Sequence, residues 1–275
     1  VAILDPSSHS LWVLDDAASV KPVYDLINKL ILKEGYTIVY AAEPNPQMTL
    51  ETMATGGINA RKLVEERALR IIDRNLVFSK DNVGSADNKA KEPSFKSYFR
   101  GRNKDKGRLF IGMPEGYFGS EANFHQKLIS AEQECNNIFD ADLKAICLHT
   151  RAFLDSMSLS NLVKLLNAHQ GIIGGKLGVK IWNPAYIIAP MRRGLDKALY
   201  PKDNANSDSD IVFRTLELIY HVDEQFIISH PDIFESTLRK MFGNSAKAIL
   251  KSICDEIINE IVFDRESSNS KEVQL

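Results

Sequence analysis

Long hydrophobic runs are missing from this 275-residue sequence. No apolar stretch approaches the roughly 18 residues that a bilayer-spanning helix requires, so no membrane partner is expected. The residues before the first strand pattern show no secretory-leader pattern, so none is expected there. The chain opens abruptly at Val1, so the native start is expected to lie upstream. Cysteine is scarce, with only Cys135, Cys147 and Cys254. Their spacing fits neither a disulfide framework nor a zinc-finger pattern. Cys147 lies inside the apolar run "LKAICLH" and is expected to be a buried, reduced thiol, which points to the cytoplasm. Charge of one sign is also lacking. A formal net charge of −2 excludes a protein that coats nucleic acid with its whole surface, while leaving a local basic patch open.

What is present is an alternation of short apolar runs and helical periodicity. "SLWVLDD" (10–16) and "YTIVYAA" (36–42) read as buried strands. Between them Val20, Val23, Leu26, Ile27, Leu30 and Ile31 recur at helical spacing, with Pro22 in the first turn and Gly35 as C-cap. Residues 58–79 are expected to be one helix followed by a strand at "LVF". Residues 80–107 lose periodicity and form a polar insertion. "RLFIGM" (108–113) and "LKAICLH" (143–149) are further strands, with a helix over Phe124–Phe139 between them. A helix at 158–169, capped by Ser158 or Ser160, precedes two short strands, "GII" and "VKIW". The pattern predicts an α/β fold, a three-layer sheet domain over 1–195. A linker (196–210), a small all-α domain over 211–262 and a disordered tail (263–275) follow.

The glycines of "HQGIIGGKLGVKIW" (169–182) suggest a phosphate loop, but the register fails. With Gly175-Lys176 aligned to the Gly-Lys of G-x-x-x-x-G-K-[ST], the first glycine falls on Gln170 and the hydroxyl on Leu177. A strand follows where a helix is required. "DDAASVK" after the first strand has no glycine, and its paired aspartates would repel phosphate. No ATPase motif is intact, so the chain is expected not to be an enzyme. The residues name no cofactor.

In open α/β sheets ligands bind beyond the carboxyl ends of the strands. There the sequence places Asp15, Asp16, Glu43, Glu115, Tyr117, His149, Thr150 and Arg151. Asp15 and Asp16 could position a polar ligand or cap the first helix. His149 and Arg151 could clamp an anion or lie in a solvated loop. His9, His149 and His169 are far apart with no metal-binding spacing, so no metal is expected and hydrogen bonding at element ends is the plain alternative. Asn183-Pro184 should end the last strand, with Tyr186 packing or lining a pocket. Lys91, Lys96, Arg100, Arg102, Lys104, Lys106 and Arg108 interleave with Phe95, Tyr98 and Phe99, as single-stranded nucleic acid would want, or as a solvated loop would allow.

"HSLWVLDD" with His9, "AICLHTRAFLDSMSLSNLVKLLNAHQGIIGG" and "NPAY" resemble, in that order, segments of the MEDS (methanogen/methylotroph sensory) domain family. The resemblance covers roughly 9–190 apart from 80–107, and implies a RecA-like domain that has lost its ATPase motifs. His149-Thr150 stands where relatives often carry Tyr-Asp. "SHPDIFESTLRKMFGNSAKAILKSICDEI" (229–257) resembles a helical output domain of archaeal sensory proteins, the NitrOD type. Together the resemblances imply a sensor. A small-molecule ligand of unknown identity, or a partner, would bind the first domain, and 211–262 would pass the state to a protein partner. A diverged nucleotide-binding enzyme and a nucleic-acid-binding regulator are the alternatives, neither favoured.

Overall fold

The computed structural model describes residues 9–16, 19–41, 43–77, 98–99, 107–115, 123–139, 142–174, 178–199 and 209–262. Seven strands form one sheet: β1 (His9–Leu14), β2 (Thr37–Ala41), β3 (Leu69–Ile71), β4 (Arg108–Gly112), β5 (Leu143–Thr150), β6 (Gly171–Gly174) and β7 (Gly178–Ile181). Their order is β3-β2-β4-β5-β1-β6-β7. The first six in that order run parallel, and β7 turns back antiparallel on β6 at one edge. All residues of β1 and β2 are buried, as expected of strands covered on both faces.

One face is covered by α1 (Lys21–Glu34), α2 (Pro46–Thr55) and α3 (Ala60–Glu65). Helix α1 carries Val23, Leu26, Ile27, Leu30 and Ile31 into a core with Trp12, Leu14, Ile146 and Leu148 of the sheet. Gly35 ends it at φ 69°, the left-handed geometry that glycine accepts at no steric cost. After α3 the structure departs from the sequence reading. Arg67 turns to φ 58°, and the Ala68 N–H donates back to the Leu63 carbonyl, so the helix stops. The strand is therefore β3 rather than "LVF", and Arg74–Val77 is a single helical turn, α4. The spacing of apolar residues imitated one long helix where the chain instead pairs Leu69 and Ile71 with Ile38 and Tyr40.

The other face holds α5 (Phe124–Cys135), α6 (Arg151–Asp155), α7 (Leu159–Asn167) and α8 (Ile188–Leu199). Ser158 caps α7 by accepting the Asn161 N–H, and Asn183 caps a 3-10 turn at Pro184–Ile187 by accepting the Ala185 N–H. Four further helices follow: α9 (Ser209–Tyr220), α10 (Glu224–Ser229), α11 (Pro231–Phe242) and α12 (Ala246–Ile261). The result is a three-layer, RecA-like parallel sheet with a C-terminal helical segment. Helix α8 runs across the expected 195/196 boundary, and 200–208 and the tail from 263 lie outside the described residues.

The helical segment does not build a core of its own. Phe213, Leu216, Phe234, Leu238, Ile249 and Ile257 join Leu11, Val13, Leu162 and Leu166 in one continuous apolar cluster. Helices α8 and α12 approach so closely that a Cβ on Gly194 would lie 2.5 Å from the Ile253 Cα and 2.7 Å from the Ser252 carbonyl oxygen. Gly194→Ala is expected to push the two helices apart and to lower unfolding free energy by about 1–3 kcal/mol in urea titrations. Ending the chain after 208 should expose the apolar outer sides of α7 and α8 and yield aggregated protein by size-exclusion chromatography, rather than a free α/β domain.

Candidate functional site

Strand β5 alternates its side chains. Ile146 and Leu148 enter the core beneath α1, whereas Leu143 and Ala145 enter the core beneath α7. Cys147 and His149 share the parity of the second set, as does His9 with Leu11 and Val13 on the neighbouring strand. Three polar side chains thus point into an apolar layer from adjacent strands. Helix α5 lays Leu128, Ile129 and Glu132 over them, the carboxylate arriving on the same buried helical stripe as the two aliphatics. His169, just past the end of α7, completes the group.

These groups form one buried cluster around Glu132, which is 3% exposed, while His9 and His149 are fully enclosed. The Glu132 Oε2 lies 3.1 Å from the His9 Nε2, 3.1 Å from the Cys147 Sγ and 3.5 Å from the His169 Nε2. Its Oε1 lies 3.5 Å from the His149 Nε2. On the far side of that ring, the His149 Nδ1 lies 3.4 Å from the Glu115 Oε2, which also accepts the Thr150 N–H at 3.0 Å. Asn136 faces the His9 Nδ1 through its Oδ1 at 3.1 Å, and its amide donates to the Ala168 carbonyl at 2.8 Å. The ring of His169 sits 4.3 Å from that of His9.

Burial opposes the charge on Glu132, but the contacts with His149, His169 and His9 prevail and hold its pKa well below the usual carboxylate value. Burial likewise opposes charge on His149, and there Glu115 and Glu132 outweigh it, raising its pKa to about 9. Burial, then the neighbouring His9, push His169 down to about 4, so that ring is neutral. Burial and the Glu132 charge raise the Cys147 thiol well above its ordinary value. A thiol held in that form is a poor nucleophile.

Of the residues read from the sequence as a ligand rim, Glu115 and His149 are brought together as an ion pair. Asp15 and Arg151 line a separate cavity of about 450 Å³ with Lys197, Glu256, Asn259 and Glu260. There the Arg151 Nη2 donates to the Asn259 Oδ1 at 2.7 Å. Asp15 and Asp16 do not cap α1: Val20 holds that position without a side-chain cap, and the Asp16 carbonyl accepts the Ser19 N–H. The Glu43 carbonyl accepts the Arg74 N–H. Tyr117 lies outside the described residues, as do Gly175-Lys176 and every basic residue of the 91–108 run except Arg108. Tyr186 is 41% exposed. Sequence reasoning missed Glu132 and Asn136, and it kept the histidines apart. The available signals were a glutamate on the apolar stripe of α5 and the every-second-residue pair Cys147 and His149.

Residues 220–275 match the family model of Nitrososphaera output domain 2, NitrOD2. No curated protein matches the chain. The described part of the matching segment is the end of α9 together with α10, α11 and α12. Among the described residues no helix is long and apolar enough to cross a membrane.

Removing the carboxylate should be costly. Glu132→Ala leaves the buried His149 charge with Glu115 alone, and a loss of about 3–5 kcal/mol is expected in chemical denaturation.

Proposed function

We propose that this chain is a non-catalytic sensor whose buried polar cluster is the input side and whose NitrOD2-matching helices are the output side. One observation carries the reading: helix α7 is held at its first turn by the output segment and at its last turn by both the cluster and the output segment. At its first turn the Ser160 N–H donates to the Glu235 carboxylate of α11, at 3.0 Å. At its last turn the Leu165 carbonyl accepts the His169 Nδ1–H, at 2.9 Å. A change at His169 therefore bears on the carbonyl end of a helix whose amide end is capped from the output segment. Asn167, in the same last turn, donates to the Ile228 carbonyl of α10.

A sensor responds only if its ligand has different affinities for two arrangements of the protein. The continuous core supplies a surface on which two packings of α10–α12 against α7 and α8 can differ. The polar contacts across it are of the exchangeable kind: Arg193 and Lys197 with Glu256, Arg193 with Glu260, and Lys251 with Asp155. Helix α9 shows Ile211, Leu218 and Ile219 to solvent, each more than 60% exposed, a surface suited to a protein partner. The order of segments along 9–190 supports a MEDS-like assignment for the α/β part. "DDAASVK", without a glycine, supports the absence of nucleotide hydrolysis. The three free thiols favour a reducing cytoplasm.

The relay is tested by hydrogen exchange on the full chain. His169→Leu keeps a side chain of similar bulk but cannot donate to Leu165. Exchange is expected to quicken severalfold across Pro231–Ile261, while α1–α3 on the opposite sheet face keep their wild-type protection. If the change stays within β1, β5 and α5, the relay reading is wrong.

A further inference from the structure

We propose that His9, Glu132, Cys147 and His169 bind a divalent transition metal of the zinc class. The four residues offer one donor atom each, all within 4.8 Å of one another and all buried. Zinc holds imidazole nitrogen and carboxylate oxygen at about 2.0–2.2 Å and thiolate sulfur at about 2.3 Å, which sets neighbouring donors roughly 3.3–3.6 Å apart at tetrahedral angles. Four of the six donor separations, 3.1, 3.1, 3.2 and 3.5 Å, are close to those of a tetrahedral set slightly drawn in, and the remaining two, both from His169, stay within 4.8 Å.

The hydrogen bonds on the outer side of each imidazole fix which nitrogen faces inward. The His169 Nδ1 carries its proton, because it donates to the Leu165 carbonyl. Its Nε2 therefore presents a lone pair, and this buried atom has no hydrogen-bond partner. Asn136 is oriented by its own amide, which donates to the Ala168 carbonyl, so its Oδ1 accepts from the His9 Nδ1. The His9 Nε2 is then a second inward lone pair. Two lone pairs, a carboxylate and a thiol converge, and the thiol proton satisfies only one of the contacts. Groups that would repel one another become complementary around a cation.

The outer bonds are those that orient metal-ligating histidines, a backbone carbonyl for one ring and a side-chain amide for the other. His149 plays the corresponding part for Glu132, meeting Oε1 so that Oε2 turns toward the other three donors. Sulfur and imidazole exclude calcium and magnesium, which take oxygen ligands. Thiolate and carboxylate together neutralise a doubly charged ion, which suits a site sealed from water. Four protein donors leave no open position, so the site is of the closed type and supplies no reactive water. It ties β1, β5, α5 and the α7–β6 link together. The proposal gives the chemistry of the site that the sensor reading places at the input, but stands without any relay.

The test uses the reduced full chain, expressed with zinc and purified without a chelating resin. Elemental analysis should return about one zinc per chain. After chelation, added cobalt should give the strong visible absorption of a tetrahedral site and a near-ultraviolet thiolate-to-cobalt band. Cys147→Ser should abolish that band, and Cys254→Ser should keep it. Asn136→Ala, which frees the His9 ring, should weaken metal affinity by about 10- to 100-fold with an unchanged circular dichroism spectrum. Failure of the wild-type chain to take up zinc or cobalt saturably overturns the proposal, as does a charge-transfer band that survives in Cys147→Ser. Metal uptake with no change of exchange in α11 and α12 would instead remove the relay and leave the site.

Discussion

A carboxylate sealed beneath a parallel sheet has to be neutralised from within, and Glu132 sets that requirement here. Water cannot reach it, so every compensating group must come from the layers that enclose it. His149 arrives from β5 as the counter-charge, the Cys147 thiol donates beside it, and His9 and His169 bring ring nitrogens against the same carboxylate, with Asn136 holding the His9 ring in place. The register of β1 against β5 is pinned by the same demand, because a one-residue slip would carry Cys147 and His149 to the opposite face. The cluster is thus a specifier of strand register as well as a site.

Much of the fold was legible because parallel strands covered on both faces read as unbroken apolar runs. "SLWVLDD", "YTIVYAA", "RLFIGM" and "LKAICLH" all became sheet strands within a residue or two. Gly35, and Ser158 of the two serines offered, marked their helix ends, since a left-handed backbone turn and a side-chain cap both act locally. The errors fell where local pattern was overridden. Residues 58–71 keep a helical rhythm, yet the open edge of β2 captured Leu69–Ile71 as a strand. The short helices α6 and α10 have too few residues to show a period.

The site was less legible than the fold for a different reason. Its four donors are 15 to 160 residues apart along the chain, so no spacing motif exists to find. Sequence reasoning looked to the carboxyl rim, where loops gather, and Glu115 and His149 do lie there. The centre of the cluster is set deeper, between sheet and helices. It was marked only by polar residues in positions whose neighbours are aliphatic: Glu132 beside Leu128 and Ile129, and Cys147 and His149 in step with Leu143 and Ala145. The metal pattern rejected at first is one of linear spacing, whereas the donors here are assembled by strand pairing.

The shared core has a consequence for autonomy. A family match confined to 220–275 suggests a module that could be lifted out whole. In this chain the inward faces of α11 and α12 are completed by side chains of α7 and α8, with Gly194 shaped to the backbone of α12. Lifted out, those helices would show Phe234, Leu238 and Ile253 to water, so the unit of sequence and the unit of folding do not coincide.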